Sequence, residues 1–290
     1  MTDSLSQFSV LALYSSMAVY AISFLLYTFD LAGIGSSKFK LARFGFSLTW
    51  VGFALQAAAT VLRGIAAGRV PWANMYEFAM TGTLMITLVF LLVNLKWDLK
   101  FLGSFVTGLV LLLLGMSATR YYVEVVPLPP ALQSYWLVIH VFVASLGTGF
   151  FALGFALSLA QVLQERRERA VTAAEAKRWA WLSRFPDSVT LENFAYRLII
   201  VGFVLWTFTL IAGAIWAEKA WGRYWGWDVK EVWTFIIWTI YAGYLHARST
   251  RGWRGTRSAT LAMIGFASVM FNFTIVNIFF KGLHAYSGLK

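Results

Sequence analysis

Apolar runs near 20 residues recur along the whole chain, separated by shorter polar connections. Their spacing predicts eight helical spans, over residues 8–29, 44–62, 79–95, 101–118, 137–163, 194–215, 232–245 and 259–280. No stretch alternates apolar and polar positions with the period of a strand. Only helices and closed barrels satisfy backbone groups in hydrocarbon, so the pattern predicts an all-α, polytopic membrane protein. It forms a single integral membrane domain over residues 1–290, with no separate soluble domain.

An even number of spans puts both termini on one side. Of the 24 Lys and Arg, 15 fall in one set of connections, and 8 fall in the other set and the termini; Arg197 lies within a span. The richer set is therefore cytoplasmic, including the long polar segment 164–192, a solvated helical connection. Both termini and the segment 216–233 are expected on the extracytoplasmic side. With 59% hydrophobic and only 13% charged residues the chain belongs in lipid, since a soluble domain has about a quarter charged. The net charge of +11 is thus an orientation signal and points to no nucleic-acid partner. No Lys or Arg precedes the first span, so the N-terminus lacks the basic region of a cleaved signal peptide and is read as retained. The chain has no cysteine, and any thiol chemistry must belong to a partner.

Segment 216–233 departs from the rest. It holds Trp216, Trp221, Trp225, Trp227 and Trp233, five of the chain's 14 tryptophans in 18 of 290 residues, where an even spread would give about one. Aromatic faces with charges among them suit a large, flat, partly apolar ligand at a membrane surface; an interfacial aromatic belt is the competing reading. Asp228-Val-Lys-Glu231 fits a capping box at the start of the seventh span. On the outer connection after the second span, Pro71 breaks the helix, and Asn74, Tyr76 and Glu77 sit at the mouth of the third span. Such a cluster lines a site or caps and anchors the helix. Pro127, Pro129 and Pro130 keep the next outer segment extended.

The chain has three histidines. His140 lies at the outer end of the fifth span, and His284 follows the eighth on the same face. His246 ends the seventh span, 18 residues after Asp228, or about 27 Å away. Two ligands of one metal must lie within about 4 Å of each other, so His140 and His284 can share one and neither can share it with His246. Zinc lacks further clustered ligands here, whereas haem asks the protein for only one or two. Each histidine could instead be a hydrogen-bonded interfacial side chain, and His246 could snorkel to the inner interface. Arg223 and Lys230 could pair with haem propionates or simply be solvated.

Trp221-Gly-Arg-Tyr-Trp-Gly-Trp-Asp228, followed by Lys230, Glu231 and Trp233, resembles the tryptophan-rich WWD signature of haem-handling proteins in c-type cytochrome biogenesis. His140 and His284, the Tyr-Leu-His segment ending at His246, Gly282-Leu-His-Ala-Tyr and Pro71-Trp-Ala-Asn-Met-Tyr-Glu77 are similar to the CcsA/ResC branch of System II. The resemblance runs from about Pro71 onward. Val229 stands where that family usually has proline, and Ala285 where serine is common.

The resemblance implies haem b as cargo and cofactor, carried to the outer face and joined through its vinyl groups to the thiols of a Cys-x-x-Cys-His motif in an apocytochrome c. It implies His140 and His284 as axial ligands of an outer haem. Trp221, Arg223, Tyr224, Trp225, Trp227, Asp228 and Glu231 would form its binding loop. His246 would hold an inner haem whose second ligand comes from a CcsB/ResB-like membrane partner. The chain would then be part of a thioether-forming, lyase-type complex, served indirectly by a thiol-reducing protein. It would sit in a bacterial inner membrane, or in a thylakoid membrane if plastid-encoded. Two alternatives stay open: a System I-type handler that passes haem to a chaperone, and a haem-binding electron-transfer cytochrome.

Overall fold

Peptide groups entering hydrocarbon must find partners within their own segment, and the chain meets that requirement with long helices. A computed structural model describes residues 2–34, 41–125, 128, 132–280 and 282–283. In chain order the helices are α1 (Thr2–Leu31), α2 (Leu41–Ala67), α3 (Met75–Lys96), α4 (Gly103–Arg120), α5 (Tyr135–Glu168), the short α6 (Ala173–Arg178), α7 (Ser188–Trp221), α8 (Val229–Thr250), α9 (Thr256–Phe271) and α10 (Asn277–Phe279). A π-helical turn, Asn272–Val276, joins α9 to α10. Among the described residues there is no strand.

Among the described residues, seven stretches are long and apolar enough to cross a membrane, drawn from α1, α2, α3, α4, α5, α7 and the α9–α10 segment. The seventh predicted span, 232–245, is helical, but its helix, α8, is not among them. Its 22 residues give it the length, while Trp, Tyr, Thr and His dilute its apolar character. Several helices outrun the predicted spans: α5 and α7 are each 34 residues long. Their polar ends stay helical past the apolar run, α5 as far as the charged Glu165–Glu168 turn.

Helix ends follow their sequence signals. Asn74 Oδ1 accepts the Glu77 amide at the start of α3. Asp187 caps α7, and Asp228 with Glu231 forms the capping box of α8. Gly222, at φ 71°, ends α7 in the left-handed region that favours glycine.

α1 packs along α2, with α4 beside them; α5 packs along α7; α3 bridges the two groups; and α8 lies against α9 and α7. Gln56 binds the first group together. It accepts from the Tyr20 hydroxyl (2.8 Å) and donates to the Met80 carbonyl (2.9 Å) and Thr83 (2.8 Å), so a fully buried amide is satisfied by α1 and α3. In the second group Phe151 of α5 stacks on Tyr241 of α8 at 3.7 Å between ring centroids.

Charged networks close both ends of the bundle. At one end Glu77 accepts from Arg63 Nε (3.0 Å), Arg69 Nη1 (2.7 Å) and the Ala73 amide (2.9 Å); the Arg63 and Glu77 side chains are 1% and 0% exposed. At the other, Arg248 of α8 pairs with Glu192 of α7, and Glu192 also takes the Gly255 amide (3.1 Å) ahead of α9. Breaking a buried pair from one side strands its partner's charge, at about 3–5 kcal/mol. Glu77→Gln is therefore expected to lower unfolding stability by that amount in a denaturant titration of the purified protein. Asp98→Asn, which breaks an exposed pair with Lys100, should cost less than about 1 kcal/mol. Equal effects of the two would contradict the assignment.

Candidate functional site

The connections at the Glu77 end enclose a cleft of about 1180 Å³, counting its open mouth. Trp72 and Asn74 wall it ahead of α3, His140 on α5, Tyr224 and Trp225 from the tryptophan-rich loop, and Asn272 and Asn277 beyond α9. α7 contributes Trp206, Thr209, Gly213 and Trp216, spaced three or four apart and hence on one helical face.

His140 is fixed by α7. Its Nδ1 lies 3.0 Å from the Thr209 carbonyl oxygen. A carbonyl only accepts, so Nδ1 carries the proton and the lone pair sits on Nε2, the arrangement of a metal-ligating histidine oriented by a second group. The ring stacks on Trp216, with centroids 5.9 Å apart and planes inclined by 22°. This close approach needs Gly213, where a Cβ would stand 2.8 Å from His140 Cε1.

The loop after α7 is held by Glu231. Its carboxylate accepts the amides of Gly226 (2.8 Å) and Asp228 (3.0 Å) and pairs with Arg223 at 3.4 Å. Those amides flank Trp227, a non-glycine residue at φ 60°, where the backbone costs roughly 1–2 kcal/mol. Glu231 thus holds a strained residue that is 77% exposed. Asp228 accepts the Lys230 amide (3.2 Å) and the Leu283 amide (2.8 Å), tying the segment after α10 to the loop.

The residues expected to bind ligand fall into distinct places. His140, Tyr224, Trp225 and Glu231 line the cleft. Trp221 packs on Trp216 at 4.8 Å, in an apolar cluster with Leu132, Leu137 and Val141, and so backs the wall. Trp227 stands outside the lining, edge-on to Trp225 at 5.8 Å, while Arg223 and Asp228 shape the loop. His284 lies outside the described residues, one position after Leu283. His246 is exposed near the far end of α8, away from the cleft.

Trp206, Thr209 and Gly213 were not singled out by the sequence pattern, although their spacing along α7 with Trp216 is a readable signal. Asn272 and Asn277 carry none, because they reach the cleft through the π turn, a feature that often marks functional sites. Lys230 Nζ donates to the Asn272 carbonyl at 2.8 Å. Burial pushes the Lys230 ammonium down to about 7, against the opposing pull of Asp228.

Comparisons with known proteins agree on one class. A family described as "Cytochrome C assembly protein" matches residues 72–284. The chain is similar to "Cytochrome c biogenesis protein CcsA" of Trieres chinensis, 33% identical over 308 residues that cover 95% of this chain and 97% of the relative. The same protein of Guillardia theta is 36% identical over 243 residues, 79% of this chain and 80% of the relative. That of Prochlorococcus marinus is 35% identical over 253 residues, 80% of each. Among solved structures, "Cytochrome c Heme Lyase CcmF" shares the fold with a TM-score of 0.69 at 19% identity. The match covers 93% of this chain but 46% of that one, so the chain spans less than half of its length.

Lys230 gives the site a pH signature. Between about 7 and its ordinary 10.5 the unfolded chain holds this proton and the folded chain does not, so folding is favoured as pH rises through that window. The stability of the wild type relative to Lys230→Met should therefore increase from pH 7 to pH 10 in denaturant titrations. A difference that stays flat would show that Lys230 is solvated.

Proposed function

Since the chain belongs to the cytochrome c assembly protein family, we propose that its cleft receives haem as cargo and presents it to an apocytochrome c. The observation that carries this reading is His140, a histidine with its lone pair on Nε2, stacked on a tryptophan in the wall of an aromatic cleft. That donor set suits a porphyrin iron, which needs one or two axial ligands and flat apolar surroundings.

In this reading His140 is one axial ligand and His284 the other. Trp216, Tyr224 and Trp225 supply the stacking surface, Trp221 supports Trp216 from behind, and exposed Trp227 extends the surface toward the client. Glu231, Arg223 and Asp228 keep the loop in shape. Lys230 faces the cargo's acid groups, and a carboxylate beside it would restore its ammonium. When bound, haem supplies the vinyl groups. Each client thiol adds across a vinyl double bond, sulfur to one carbon and hydrogen to the other, and the protein's share is positioning. The thiols must arrive reduced, which assigns a thiol-reducing protein an indirect role.

The charge asymmetry of the connections supports an extracytoplasmic cleft end and a cytoplasmic His246 end. The setting is a bacterial inner membrane or a thylakoid membrane. His246, exposed on α8, suits a second haem whose other ligand comes from a CcsB/ResB-type partner.

Purified full-length protein, with and without such a partner, should carry haem visible in its absorption spectrum. His140→Ala and His284→Ala should each lower the haem retained at the outer site at least several-fold, while His246→Ala spares that site. Unchanged haem content in both outer variants would overturn the axial assignment.

A further inference from the structure

The corner where α2 hands the chain to α3 holds more hydrogen-bond donors than acceptors. Glu77 is fully used: Arg63 Nε, both terminal nitrogens of Arg69 and the Ala73 amide all donate to it. Four buried side-chain nitrogens have no hydrogen-bond partner among the described residues: Arg63 Nη1, Arg69 Nε, Trp72 Nε1 and Asn74 Nδ2. Two guanidinium groups share one carboxylate here, so the corner has one positive charge in excess.

The orientation of Asn74 is settled by α3. Its Oδ1 accepts the Glu77 amide at 2.9 Å, which turns Nδ2 away from the helix. Asn74 is 5% exposed, and both it and Trp72 line the cleft that holds His140. Two neutral, buried N–H donors thus belong to residues of the cleft wall, with two guanidinium groups on the neighbouring Glu77. Neutral donors backed by a single excess positive charge match a carboxylate, whose one negative charge balances the corner; a phosphate dianion would over-fill it.

We infer that Trp72 Nε1 and Asn74 Nδ2 form a carboxylate site that grips an acid side chain of the cargo in the cleft. The inference rests on the haem reading above. It gives the Pro71–Glu77 segment a binding role beyond capping α3, and it orients the cargo, because a porphyrin carries its two acid groups on one edge.

The test is a titration of the full chain in detergent with haem and with haem dimethyl ester, followed by Soret absorbance. The variants are Asn74→Asp and Trp72→Phe. Asn74→Asp keeps the capping oxygen for the Glu77 amide and replaces the donor with a charged acceptor, while Trp72→Phe removes the indole N–H and keeps a ring. The wild type should bind haem at least about tenfold more tightly than the diester. Asn74→Asp should weaken haem binding by about the same factor and Trp72→Phe several-fold. Diester affinity and the Soret maximum should stay unchanged in both. If haem binds but neither variant alters its affinity, or both forms weaken equally, the carboxylate site is wrong while the haem reading stands. If the wild type binds neither form, the haem reading itself fails and this inference falls with it.

Discussion

One hydrogen bond organises the cleft: the Thr209 carbonyl of α7 takes the Nδ1 proton of His140 on α5. It exists because Gly213 leaves α7 bare at that level, so an imidazole from the neighbouring helix can lie within van der Waals reach. A side chain there would displace the ring, and with it the stacking on Trp216 and the choice of tautomer. α5 and α7 are also each other's principal neighbours along their length, which gives the histidine a rigid mount. The chemistry of the site therefore begins with a missing Cβ.

The second organising constraint is carboxylate placement. Glu231 gathers the Gly226 and Asp228 amides and fixes the strained Trp227 between them; Glu77 gathers two guanidinium groups and fixes the entry to α3. Both carboxylates are buried or nearly so, and each sets the shape of one side of the cleft. Away from water such networks are costly to leave half-made, which makes the two sides rigid. Rigid walls suit the presentation proposed for the cleft, since effective concentration depends on how closely the reacting groups are held.

Much of the architecture was legible in the sequence because hydropathy reports directly on a bilayer. The predicted spans became helices, and the Asp228–Glu231 capping box formed as its spacing indicated. α8 shows the limit: its length and helicity were readable, but its Trp, Tyr, Thr and His content leaves it below the apolarity of the other seven. In the site, His140, Trp225 and Glu231 carried local signals. Asn272 did not, because a cleft residue delivered by a π turn is a product of packing, and so is the pairing of the His140 ring with a carbonyl 69 positions away. Trp221 and Trp227 show the reverse. The motif marks them equally, and only the fold separates a tryptophan that backs the wall from one that stands outside it.

The central claim is that His140 supplies the iron ligand of the cleft, and replacement of the missing ring tests it most directly. His140→Gly removes the imidazole and leaves a space of its shape beside Trp216. Full-length His140→Gly protein should lose the haem spectrum of the wild type and regain it when free imidazole is added at millimolar concentration. A wild-type spectrum without imidazole, or a lost spectrum that imidazole fails to restore while the protein remains folded, would contradict the account.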